Sequence, residues 1–366
     1  MKPSSPVRYT PDVETPLDDE QKVIDSLIND FDTILERTSE DYDHAVRSVH
    51  AKAHGILKGS LRVESALPDE LAQGLFAKPG EYEVYLRLST NAGDILPDVI
   101  SLPRGLALKV VGVEGERLPD SEGHNQDFIM LNAPVFQAPN AEKFQTNLKM
   151  LAKTTDRLEG TKVATSKTLQ GVDKVLEKMH VDSPAVKSLG GAPNIDPLGE
   201  TYYSATAFRY GDYMAKFSIR PISDSLKALS GRMVDIDGRR DAIREDVRDE
   251  MKERQGEWAF CVQLCRDIEQ QPIEDATVEW DEQSAPFYRV ATLHIPSQDS
   301  WQEAMVRQVE DEMRFSVWTG IADHQPLGNI NRVRKETYRH SADFRASFNA
   351  CPYHEPSASS RYITRK

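Results

Sequence analysis

The sequence predicts an α+β fold: a closed antiparallel β-barrel with helices packed outside it. Three observations lead there. Short apolar or alternating stretches punctuated by Gly and Pro recur between about residues 47 and 300, the patterning of strands and turns. They follow no βαβ rhythm, which argues against a parallel sheet. Two stretches rich in Lys, Glu, Leu, Met and Ala, about 140–188 and 222–255, interrupt them and read as helical insertions. Strands dispersed this widely suit a barrel clad by helices.

Taken in order, residues 1–46 read as an extended arm followed by a helix. Ile24, Leu27, Ile28, Phe31 and Ile34 recur there at three- and four-residue spacings. Residues 47–300 form the barrel. VYLRLS (84–89) alternates, and GLALKVVGV (105–113) and QDFIML (126–131) are short apolar runs. Beyond the first helical insertion, AFRYGDYMAKFSIRP (207–221), WAFCVQLCRD (258–267) and FYRVATLHIP (287–296) return to strand patterning. Residues 301–366 turn helical again: WQEAMVRQVEDEMRFSVW (301–318), a Pro-Gly break at Pro326 to Gly328, then INRVRKETYRHSADFR (330–345). No internal repeat is present.

Composition narrows the function classes. The chain has 366 residues and a formal charge of −14, which works against binding polyanions, so no nucleic-acid partner is expected. Cys261, Cys265 and Cys351 match neither a paired zinc knuckle nor CxxC and read as reduced thiols. The polar, acidic amino terminus lacks the apolar run of a secretory signal. VISLPRGLALKVVGV, the most apolar window, is broken by Pro103, Arg104 and Lys109, so no membrane span is expected. A cytoplasmic protein is the expectation.

Familiar nucleophile elbows, phosphate loops and dinucleotide turns are missing. His50 and His54 in HAKAH have the i, i+4 spacing of a helical zinc pair. Ala51 stands where the glutamate base of HExxH would be, and no third ligand is evident. On a strand, the two imidazoles share a face but lie further apart.

Five segments carry a stronger signal: RSVHAKAHG (47–55), YLRLST (85–90), LPRGLALKV (102–110), LNAPVF (131–136) and RKETY (334–338). Together, in this order, they resemble the haem catalases, whose consensus carries R-x-V-H-A, R-F-S-T, P-R-G-F-A-x-K-F, N-x-P-x-F and R-x-x-x-Y. The resemblance covers about 45–345 and continues through the late strands and Trp280.

The resemblance implies one haem b whose iron is held by Tyr338 as a phenolate. A phenol ionises with difficulty at neutral pH, and Arg334, one turn earlier on the same helical face, supplies the cation that favours the ionised form. Across the haem, His50 is the implied acid–base catalyst, suited to the task as an imidazole titrating near neutrality. Ser89 orients it, and Asn132 donates a hydrogen bond to the peroxide. Arg47, Arg87 and Arg345 are implied to pair with the haem propionates, while Phe136 and Phe144 pack over the distal face. Ser341 fits the family pattern on the proximal helix. Seen alone, such a pair is more commonly a half-buried helix tyrosine beside a solvated arginine, and it is the distant motifs that tip the balance for Tyr338 and Arg334.

Departures from the family pattern include Ala53 in place of glycine and an unusual lead-in, QPLGNINRVR, to the proximal helix. Longer members of the family carry an extended arm, a wrapping segment and further helices. A shorter or wider access channel is therefore expected here, which argues against strict dismutation and admits organic peroxides or reducing cosubstrates. These features resemble the minimal catalase-related branch, which includes peroxidases and allene oxide synthases. In the latter a threonine precedes the distal histidine; here Val49 does, which favours peroxide reduction over fatty-acid hydroperoxide dehydration. A haem-binding protein without catalysis is the further alternative. The expected partners are a peroxide and an electron donor, with homo-oligomerisation left open.

Overall fold

The computed structural model describes residues 3–155 and 192–357. Among them, α1 (Glu20–Tyr42) precedes β1 (Ala53–Val63), β2 (Glu81–Thr90), β3 (Arg104–Val111) and β4 (Asn125–Leu131). Then come α2 (Ala141–Thr155), β5 (Tyr202–Tyr203), β6 (Phe208–Tyr210), β7 (Tyr213–Pro221) and the short α3 (Asp224–Lys227). The chain continues through α4 (Ala242–Glu253), β8 (Gly256–Leu264), β9 (Phe287–Ile295), α5 (Glu303–Arg307) and α6 (Asn329–Phe348).

All nine described strands form one antiparallel sheet in the order β5-β4-β3-β2-β1-β9-β8-β7-β6. It closes because β5 also pairs with β7, Tyr202 opposite Ile219 and Tyr203 opposite Ser218. Eight strands thus make the ring, and β6 hairpins onto β7. Closure leaves those eight without a free edge. Val84, Leu86 and Leu88 of β2 point inward with Leu106 and Leu108 of β3, Phe128 of β4, Phe217 of β7 and Phe260 of β8, forming the core. The alternate residues of β2 face outward, where two layers cover them. Ile24, Leu27 and Phe31 of α1 pack with Ala141 of α2 and Val333 of α6, while Val309 and Met313 pack on Ile56, Tyr85 and Val111.

The barrel and its helical cladding agree with the fold class read from the sequence. Part of the expected first insertion is α2; its remainder falls outside the described residues. Within 222–255 only α3 and α4 are helical. The expected helix over 301–318 also differs. After α5 the chain makes a π-helical turn, Gln308–Glu312, and leaves helical geometry at Met313. Side chains capture the backbone groups that a continuing helix would use: Arg47 Nη2 donates to the carbonyls of Val309 and Met313, and Asp127 accepts from Ser316 N. Tertiary partners override propensity there. No described helix is long and apolar enough to cross a membrane.

Candidate active site

The period of two along a strand puts Arg87 and Ser89 of β2 on the outer face of the barrel. Opposite them on β3 stand Ala107 and Gly105, and Ile129 of β4 follows Ala107. Small residues at 105 and 107 leave a shallow floor. Over it lies a cavity that opens to solvent. Phe31 of α1 lines it, as does one stripe of α6: Thr337, Tyr338, Ser341, Ala342 and Arg345.

Three- and four-residue spacing brings that stripe together. Arg334 Nη2 donates to Tyr338 Oη at 3.0 Å. The guanidinium is itself fixed, because Nη1 donates to Asn331 Oδ1 at 3.2 Å, an oxygen that also accepts from Thr206. Asn331 Nδ2 binds the carbonyls of Ala207 and Leu327. Ser341 Oγ accepts from Ser48 N at 3.2 Å, tying α6 to the segment that carries Val49 and His50; both of these also line the cavity.

His50 precedes β1, in a left-handed conformation with φ 56°, uncommon for any residue but glycine. Its Nδ1 lies 3.0 Å from Ser89 Oγ, and that hydroxyl is 3.5 Å from the carbonyl of Gly105. With the serine donating to Gly105, it accepts Nδ1–H, and Nε2 is left as the free base. A Cβ at position 105 would stand 2.5 Å from His50 Cε1, so glycine makes room for the ring. Burial, then the positive charges of Arg87, Arg334 and Arg47, push the imidazole pKa down to about 3. This corrects the expectation of titration near neutrality: the desolvated ring beside three guanidinium groups stays neutral.

Arg47, Arg87 and Arg345 all line the cavity and converge on Glu310, which the sequence reading did not single out. Arg47 Nη1 reaches Glu310 Oε2 at 2.6 Å, Arg87 Nε reaches Oε1 at 2.6 Å, and Arg87 Nη2 reaches Oε2 at 3.0 Å. Arg345 Nη1 donates to the Glu310 carbonyl at 2.6 Å, while its buried Nε has no partner. Desolvation would raise the Glu310 pKa, but the arginines outweigh it and hold the carboxyl down near 2.

Four expected residues stand outside the lining of this cavity: Arg334, behind Tyr338, and Asn132, Phe136 and Phe144. Asn132 Nδ2 donates to Glu200 Oε1 at 2.7 Å, and its Oδ1 accepts from Arg104 N. Phe136 and Phe144 meet edge to face at 5.2 Å, in a small cluster with Ile330. His54 is wholly buried, 3.9 Å from Asp98. No cluster of three or more His, Cys, Asp or Glu residues able to hold a metal occurs among the described residues.

The residues present nevertheless fit a haem. A phenol backed by a guanidinium can ligate iron presented in a macrocycle. The floor admits a flat group, and the unpartnered Arg345 Nε calls for an anion.

A closed antiparallel barrel thus sets a tyrosine, a histidine and an arginine cluster around one outer-face cavity. The catalase family model matches residues 21–303, and the chain belongs to the catalase family, whose members generally bind haem and act on peroxide. No curated protein matches it by sequence. Among solved structures, a fungal catalase superimposes with a TM-score of 0.58 at 16% identity, over 95% of this chain and 66% of that one. Catalase A from Saccharomyces cerevisiae gives 0.56 at 17% identity, over 94% and 67%. A bacterial catalase gives 0.55 at 17%, over 100% and 70%. The chain therefore spans about two thirds of the length of the solved catalases it resembles.

Proposed function

We propose that the protein binds a b-type haem through Tyr338 and reduces peroxides, either hydrogen peroxide or an organic hydroperoxide, with the aid of an electron donor. The observation that carries this reading is the shared cavity: Tyr338, His50 and three arginines all line it. When bound, the haem would supply a ferric centre able to exchange electrons with the peroxide O–O bond. His50 Nε2 takes the proton of the incoming peroxide and returns it to the departing oxygen, a general acid–base exchange. Ser89 keeps the proton on Nδ1 through the 3.0 Å contact. Arg334 Nη2 donates to the Tyr338 oxygen at 3.0 Å and so fixes its direction beside the cavity.

An absorption spectrum of the purified, haem-supplied protein tests binding, and oxygen evolution plus oxidation of a phenolic donor test turnover. Tyr338→Phe should lose or mis-ligate haem, with a displaced or missing Soret band. His50→Ala should keep the Soret band and lose peroxide turnover by ~10²–10⁴-fold, the usual worth of a positioned acid–base group. Full turnover by that variant overturns the His50 assignment. Incubation with a fatty-acid hydroperoxide and no reductant separates reduction from dehydration by product.

A further inference from the structure

Glu310 stands where the haem reading needs an anion. Its carboxylate takes three charge-assisted hydrogen bonds of 2.6–3.0 Å from Arg47 and Arg87, geometry that a propionate would reproduce. The side chain is 22% exposed and comes from the π-helical turn Gln308–Glu312, a local irregularity of the kind often found at functional sites. Among the described residues, the hydrogen-bond partners of the carboxylate are the two arginines. Arg345, by contrast, is bound to a backbone oxygen and keeps an unpartnered Nε. The cradle thus has one donor waiting for an anion and two already engaged by the chain's own carboxylate.

We propose that Glu310 is a built-in competitor for the haem propionates, closing the arginine cradle of the haem-free chain and yielding Arg87 and Arg47 to a propionate when haem enters. This rests on the haem reading above. Exchange of one carboxylate for another keeps the guanidinium groups paired at both ends of the process, while the displaced Glu310 carboxylate, already 22% exposed, turns to solvent. The competition weakens haem retention without touching Tyr338 or His50. It also holds α5 and the following segment against the barrel before loading, since Arg47 bridges Glu310 and the Val309 carbonyl.

The test is a titration of the haem-free protein with haemin and with haemin dimethyl ester, whose propionates carry no charge, read by the Soret band and by thermal melting. Glu310→Gln should lower the melting temperature of the haem-free protein and bind haemin more tightly, on the order of tenfold, the worth of a charge-assisted hydrogen bond. Its affinity for the ester should equal that of the unaltered chain. Glu310→Asp keeps the charge on a shorter arm and serves if the glutamine variant does not fold; its haemin affinity should lie between the other two. Equal or weaker haemin binding by Glu310→Gln overturns the proposal and leaves the haem reading intact, as does the same gain for haemin and ester. A missing Soret band in every variant and in the unaltered protein overturns both.

Discussion

At the scale of single residues, the site depends on who stands next to His50. The imidazole occupies the space that any side chain at 105 would need, with Cε1 2.5 Å and Nδ1 2.8 Å from the missing Cβ. Gly105→Ala should therefore push the ring off Ser89. Haem binding is expected to survive, because Tyr338 and Arg334 are untouched, while kcat/KM for peroxide drops about 10²-fold, the cost of an ångström-scale misplacement. A Soret band at full intensity with unchanged turnover would contradict the role given to this contact. Some of this chemistry was legible in the sequence. The four-residue spacing of Arg334 and Tyr338 became a 3.0 Å hydrogen bond, and the strand period turned Arg87 and Ser89 to one face. Glu310 was not legible, because in QVEDEM it is one acidic residue among three and only the backbone turn sets its direction. Nor was Asn331, whose role depends on Thr206 and Ala207, far away in sequence.

At the scale of elements, the strands were readable because period-two burial against a barrel core stamps itself on sequence. The segment after α5 was not, since its backbone is held by Arg47, Asp127 and Glu355 rather than by its own helix. The two-residue β5 leaves too short a pattern to detect, although its pairings close the ring. The same dependence on distant partners fixes α6. Arg332 donates to Glu14 of the arm at 2.7 Å, to Glu20 at the start of α1 at 2.9 Å and to Glu274 of the β8–β9 connection at 3.0 Å. One side chain thus joins three segments to the helix that carries Tyr338. Arg332→Ala leaves three carboxylates facing one another without their cation. It should destabilise the haem-free protein by about 2 kcal/mol, the scale of losing charged hydrogen bonds at a partly buried pair. Denaturant midpoints measure this, and an unchanged midpoint would mean that the clamp contributes nothing.

At the scale of the whole molecule, stability should depend on keeping buried histidines neutral. His324 enters the barrel core, where its Nε2 accepts from Leu75 N at 3.0 Å and its ring lies among Phe76, Phe128, Tyr210 and Phe217. Burial pushes its pKa down to about 3, and that of His50 likewise; burial also drives His54 down. An unfolded chain takes up these protons near pH ~6.5. Between that value and 3 the unfolded state therefore binds more protons than the folded one, and stability is lost as pH falls. Asp127 acts in the opposite sense: burial raises its pKa, so its protonation favours the folded state on mild acidification and offsets part of the loss. His324→Gln isolates one contribution, because its amide oxygen can still accept from Leu75 where Nε2 did, while nothing titrates. Each neutral histidine is worth roughly 2 kcal/mol between pH 7.5 and 5, the free energy of protonating the unfolded chain alone. The unaltered haem-free protein should lose midpoint denaturant concentration over that interval, and His324→Gln should lose less by that amount despite starting lower. Parallel losses in the two proteins would show that the barrel admits a proton at His324 without unfolding.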